Sequence, residues 1–310
     1  MNTTNEFTYQ YDTQNRLTSG VSAGISMSEK TTYDVTGNII KLTRDGNTNN
    51  YAYVGNKLSK VSGGITTQEY KYDGNGNAIT EGRSGFTYTY NDLSLPIEIK
   101  QGAARRLINK YDANGNLLYR ISNVNGIEER RDYLGAIEYK TIGSGSQVVD
   151  FIATEDGIAQ NNNGSFTFQY FLRDHLGNVR TVIDKLGTNV RVLQRQDYYP
   201  YGKLSKSNLI AGSNEYLYNG KELLQGLSKD ALNGLYDYGA RFYDPELGRW
   251  NVNDPASEAT RSISPYTYVN GNPIFYNDPS GMIANPFIQN ILTGETKWIP
   301  DGQEIPLDWR

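Results

Sequence analysis

A tyrosine followed by an acid and a tight turn recurs along the first part of this chain: YDTQN at Tyr11, YDVTGN at Tyr33, YDGNGN at Tyr72 and YDANGN at Tyr111. With Tyr53 and Tyr90 included, the repeat tyrosines fall 18–22 residues apart. That period is too short for a helix pair and fits two strands of about six residues plus their turns, so each unit is predicted to be one β-hairpin. The run FTYTY alternates, placing Phe86, Tyr88 and Tyr90 on one face and Thr87 and Thr89 on the other. In YDANGN, Asp112 can hydrogen-bond the backbone two residues on and Asn114-Gly115 tolerates positive φ, which makes the acid a turn former. Leu117, Leu118 and Tyr119 then open the return strand. Hairpins stacked by nearest-neighbour contacts build one long, curved antiparallel sheet. The first 140 residues sustain no apolar spacing of three to four, which argues against a helical solenoid.

Composition supports an all-β reading. The chain has 310 residues, enough for one large domain or two ordinary ones. Only 37% of it is hydrophobic, yet it carries 25 Tyr against 9 Phe and 3 Trp, a surplus of amphipathic rings suited to sheets with half-wet faces. Disordered chains lack aromatics, and this one is 12% aromatic. Its 30 basic residues are scattered among 34 acidic ones, so no stripe exists to neutralise phosphates and nucleic acid is not an expected partner. Cysteine is absent, which removes disulfides and thiolate metal sites. The start, MNTTNEFTYQ, has no basic or apolar signal region, and no stretch of about 18 apolar residues occurs, so neither a signal peptide nor a membrane span is read here.

Several stretches imitate chemical motifs. Asp73-Gly74-Asn75-Gly76-Asn77 resembles a calcium loop, but Ala78 stands where an EF-hand requires Gly and Ser84 where it requires Glu. Asn219-Gly220-Lys221 lacks the glycine spacing of a phosphate loop and reads as a turn. His175, the single histidine, has no Gly-x-Ser-x-Gly elbow to serve and cannot hold a metal alone; it reads as a donor to a turn. No cofactor and no metal site are predicted. The sequons at Asn2 and Asn163 matter only in a eukaryotic secretory route.

After residue 165 the texture changes to QYFLRDHLGNVRTVID, DYYPYGK, YLYNGKEL, GLYDYGARFYDPELGRWNVNDP and SPYTYVNGNPIFYNDPSGM. With the YD hairpins before them, these blocks resemble the RHS/YD-repeat family and its RHS repeat-associated core domain, over roughly residues 5–282. The resemblance implies a sheet spiralling toward a hollow shell, with residues 1–140 as YD hairpins, 141–282 as a core domain continuing the sheet and closing one end, and 283–310 as a short variable tail. It further implies a secreted or cell-surface bacterial protein. Expected partners are upstream RHS repeats or another shell chain, and a C-terminal toxin in full-length relatives. The chain reads as a C-terminal fragment or short member, and its first strand, near Phe7, as an exposed edge. The alternative is an adhesion module that binds a surface glycan through exposed Tyr and Trp faces, Trp250 included.

Asp254-Pro255 and Asp278-Pro279 each follow a strand-like run. Two carboxylates brought together cannot both ionise, so one keeps a proton and the other acts as a base, as in aspartic proteases. On local grounds alone the preferred reading of the same residues is as turn initiators, and of Arg241 as a surface ion-pair partner. The resemblance carries Asp254 and Asp278 onto the family's two self-cleavage acids and Arg241 onto an arginine near them. It places the scissile bond between Met282 and Ile283. Any enzyme activity would then be a single intramolecular cut. The 28 residues beyond Met282 are too short for a catalytic toxin.

Overall fold

The computed structural model describes residues 6–124, 126–224, 227, 234–260, 262–289 and 296–298; the Asn2 sequon and most of the tail lie outside them. Among the described residues the regular structure is strands and short 3-10 turns, with no α-helix. Six strands pair in chain order: β1 (Phe7–Tyr11), β2 (Leu17–Ser22), β3 (Ser28–Tyr33), β4 (Ile39–Arg44), β5 (Asn47–Val54) and β6 (Lys57–Gly63). A second sheet of 13 strands continues in chain order from β7 (Lys71–Tyr72) to β19 (Asn189–Arg195). All these pairings are antiparallel. Residues 67–70 bridge the two sheets. Thr67 N–H donates to Val61 O at 3.0 Å, Tyr70 N–H to Ser59 O at 2.9 Å and Gln68 N–H to Gly82 O at 2.8 Å. The wall passes residue 140 without a break, through β14 (Ile137–Ile142) and β15 (Val148–Thr154). β1 is the free edge of the first sheet.

The corners show why the sequence repeats. At Asp34, Asp73, Asp112 and Asp174, one carboxylate oxygen accepts the backbone N–H groups two and four residues on. The other accepts the side-chain amide of the asparagine four residues on, all at 2.8–3.1 Å. The glycine before that asparagine (Gly37, Gly76, Gly115, Gly177) has φ between +77° and +87°, a region that excludes most side chains. Asp73 is thus a turn former, and the calcium-like spelling follows from turn chemistry. Each repeat tyrosine pairs with the first or second residue of its return strand: Tyr11 with Leu17, Tyr33 with Ile39, Tyr53 with Leu58 and Tyr111 with Leu117, beside a register shift each time.

The tyrosine hydroxyls do something the period alone does not reveal. Tyr33 Oη donates to Leu17 O at 2.6 Å, Tyr53 Oη to Ile39 O at 2.7 Å and Tyr90 Oη to Ala78 O at 2.8 Å. The acceptors are the residues opposite the previous repeat tyrosine, Tyr11, Tyr33 and Tyr72. These three corners are therefore each tied to the one before. A hydroxyl that buries its ring and satisfies a strand-end carbonyl suits this position, and phenylalanine does not.

Burial acts to raise the half-buried Asp34 carboxyl, but bonds from Asn38 and Thr36 outweigh it and hold the group below the usual aspartate range. A depressed folded value means that the corner contributes stability above the unfolded pKa and loses it as pH falls through the folded one. Asp34→Ala is expected to lower stability by about 1–2 kcal/mol, as loss of a cap does, and to flatten the acid limb of the unfolding curve. Urea titrations at pH 7 and pH 3 measure both effects.

The described residues between 196 and 282 pack against the wall. β20 (Glu222–Leu224), β21 (Leu235–Asp237), β22 (Phe242–Asp244) and β23 (Arg249–Trp250) form a small sheet. One cluster joins Leu17, Leu42 and Leu58 of the wall to Tyr218, Tyr243 and Tyr268; another joins Phe86, Tyr88 and Ile99 to Leu224, Leu235 and Phe242. As FTYTY predicts, Phe86 and Tyr88 point inward while Thr87 and Thr89 face solvent. Buried arginines stitch wall to core. Arg44 binds Glu29 at 2.5 Å and Pro245 O at 2.8 Å, and Arg120 on β12 (Leu117–Val124) binds Glu222 at 2.6 Å and also Asp237.

Candidate functional site

Arg241, Asp254 and Asp278 meet at one end of the core. Arg241 enters β22, Asp254 follows β23 and Asp278 follows β24 (Tyr276–Asn277), so three strand ends converge on one point. Arg241 Nη2 lies 3.0 Å from Asp254 Oδ2 and 3.3 Å from Asp278 Oδ2. The remaining donors of the guanidinium hold backbone: Nη1 donates to Pro265 O at 3.1 Å and Nε to Gly281 O. Asp278 Oδ1 accepts the Met282 N–H at 2.9 Å, and Asp254 Oδ1 accepts the Ala256 N–H at 2.8 Å. Arg241 and Asp278 are each 2% exposed, so Arg241 is an interior clamp and not a surface ion-pair partner.

The peptide between Gly281 and Met282 is gripped from both sides, its carbonyl by Arg241 and its N–H by Asp278. The next peptide, Met282–Ile283, follows directly. Both of its residues line a cavity of about 230 Å³ together with Arg241, Asp254 and Asp278. That volume admits several waters, each needing about 30 Å³.

Two carboxylates share one cation, so the site holds more negative than positive charge when all three groups are ionised. Burial is the largest influence on Asp254 and raises its carboxyl above the usual range; Arg241 opposes this and the charge of Asp278 adds to it. Burial also lowers Arg241, against the pull of both acids. Asp254 therefore holds a proton more readily than an ordinary aspartate, and the arrangement has the parts of general acid–base chemistry at a peptide bond.

Sequence reasoning nominated these three side chains and the bond beside them, and the structure brings them together. It missed the floor of the site. The Arg241 guanidinium stacks over Trp250 at 4.2 Å from the ring centroid. Trp250 is 1% exposed, which corrects the expectation that it offers an open face to a glycan; its partners are Tyr238, Tyr243 and Tyr268, with centroids 5.1–5.4 Å away. An arginine and a tryptophan nine residues apart, in GARFYDPELGRW, were the available signal. His175 lies in the Asp174 corner, its Nε2 3.1 Å from Ile274 O. Among the described residues, no cluster of histidine and acidic side chains is suited to a metal.

Comparison with known proteins agrees with this architecture. The Teneurin YD-shell family model matches residues 1–132. Salivary gland surface protein 1 of Aedes aegypti is 33% identical over 141 residues, 44% of this chain and 4% of that protein. Toxin subunit YenC1 of Yersinia entomophaga is 29% identical over 195 residues, 57% of this chain and 19% of that one. The fold resembles that in the Photorhabdus luminescens Tc holotoxin pore, with a TM-score of 0.71 and 20% identity, over 90% of this chain and 15% of that chain. The chain thus spans less than a fifth of the length of each of these proteins. With its corners, its chain-ordered wall and these matches, the chain resembles RHS/YD-shell proteins, the YD-shell family model matching its first 132 residues.

Proposed function

We propose that this chain is the closing part of a secreted toxin-complex shell, with residues 1–140 as wall and 141–282 as the core domain that continues it, and that it cuts itself after Met282. The observation that carries the cut is one guanidinium holding two carboxylates while Asp278 holds the Met282 N–H. Asp278 takes a proton from water as the oxygen attacks the Met282 carbonyl carbon. Asp254 donates its proton to the Ile283 nitrogen as the C–N bond breaks, leaving a carboxyl group on Met282 and a free amine on Ile283. Arg241 steadies the negative charge that develops. The free edge of β1 pairs with upstream repeats or another shell chain.

The test is intact mass of the 310-residue chain after expression. Wild type is expected to lose its 28-residue tail, whereas Asp254→Asn and Asp278→Asn retain it, with release slowed at least about a hundredfold if both proton transfers are needed. An uncut mass for all three removes the cleavage reading and leaves the shell. A surface-adhesion role predicts that uncut mass together with binding to glycan or cell wall.

A further inference from the structure

We propose that Lys221 is a positioning residue for this cut, its ammonium fixing the turn that presents Met282. The inference rests on the self-cleavage reading and adds a part that the acids do not supply. Residues 278–282 are held at four points. Met282 N–H bonds Asp278, Gly281 O takes Arg241 Nε, Ser280 O takes the Ala240 N–H at 3.2 Å, and Pro279 O takes Lys221 Nζ at 2.6 Å. The first three come from the turn itself or from residues 240–241. Lys221, just before β20, reaches in from a third part of the chain and holds the residue that follows the catalytic acid.

Its surroundings suit the task. The ammonium lies 5.3 Å from the centroid of the Tyr238 ring, and burial holds its affinity for a proton below that of an ordinary lysine, with Asp237 and Asp278 opposing this in part. The two negative groups therefore favour the charged donor form that binds a carbonyl best. The next residue, Glu222, is gripped by Arg120 of the wall at 2.6 Å, so the strand that carries Lys221 is fixed by the YD sheet. A carbonyl anchored three residues before Met282 sets how far the turn extends. A displacement of about 1 Å at a reacting group can cost roughly a hundredfold in rate.

The experiment follows tail release in pulse-labelled cell-free synthesis for wild type, Lys221→Met, Lys221→Arg and Asp278→Asn, with thermal unfolding of each. Lys221→Met is expected to slow release at least about tenfold with little change in unfolding temperature, and Lys221→Arg, which keeps a long cationic donor, to recover most of it. Release by Lys221→Met at the wild-type rate overturns the proposal, and so does slow release that arginine fails to rescue. If wild type itself does not cut, the cleavage reading has failed, and hydrogen exchange decides the positional claim. In an Asp254→Asn background, Lys221→Met should speed exchange of the Met282 amide, and unchanged exchange overturns it.

Discussion

Replacing Arg120 with methionine should destabilise the protein by about 3–5 kcal/mol, the usual loss when one member of a buried ionic group is removed. Arg120 is 3% exposed and satisfies three partners from two parts of the chain: Asn109 Oδ1 at 3.0 Å within the wall, and Glu222 at 2.6 Å and Asp237 in the core. Methionine fills the space but leaves two buried carboxylates facing each other. Glu222 retains only Tyr133 Oη at 3.1 Å and Arg131 at 3.9 Å. Burial already pushes Asp237 above the ordinary aspartate range, with Arg120 as the opposing influence, so it should take up a proton in the variant. Denaturant unfolding followed by tryptophan fluorescence measures the loss. Arg191→Met, at a pair whose arginine side chain is 52% exposed, should barely move the same midpoint. Equal effects at the two sites would mean that wall and core are not joined through Arg120.

The contrast between these arginines explains what the sequence makes legible. A corner is local: Asp34, Thr36 and Asn38 carry the bonds that close the turn within five residues, so spelling alone reveals it. Where Arg173 replaces the tyrosine, the same corner at Asp174 escapes a reading keyed to YD although its bonds are identical in kind. Ties from Tyr33 to Leu17 or from Tyr53 to Ile39 depend on strand register and are invisible to a period count. The core is harder still. Its strands β20 to β23 are two or three residues long, too short for alternation to show, and its interior holds Arg241 and Asp244 beside aromatics. Spacing says nothing about how far Asp254 lies from Asp278. Only family resemblance nominated the pair, and the fold brings both to one nitrogen.

Trp250→Ala should cost about 3–5 kcal/mol, as deletion of a buried tryptophan generally does, and, on the proposed self-cleavage, should also stop release of the tail. The indole is packed edge-on by Tyr238, Tyr243 and Tyr268, and its face carries the Arg241 guanidinium. Alanine opens a cavity beneath that guanidinium, which must hold two carboxylates and the Gly281 carbonyl in fixed directions. Trp250→Phe keeps a ring under the cation, so it should lose less stability and retain slow release of the tail. Urea midpoints and intact mass, read on the same samples, separate the two effects. Asp254→Asn removes chemistry while leaving the aromatic floor in place, so its midpoint should stay near wild type as cleavage disappears. If the proposed cut occurs, stability and cutting should therefore fall together along the tryptophan series and part company at the aspartate, because the arginine that holds both carboxylates rests on Trp250.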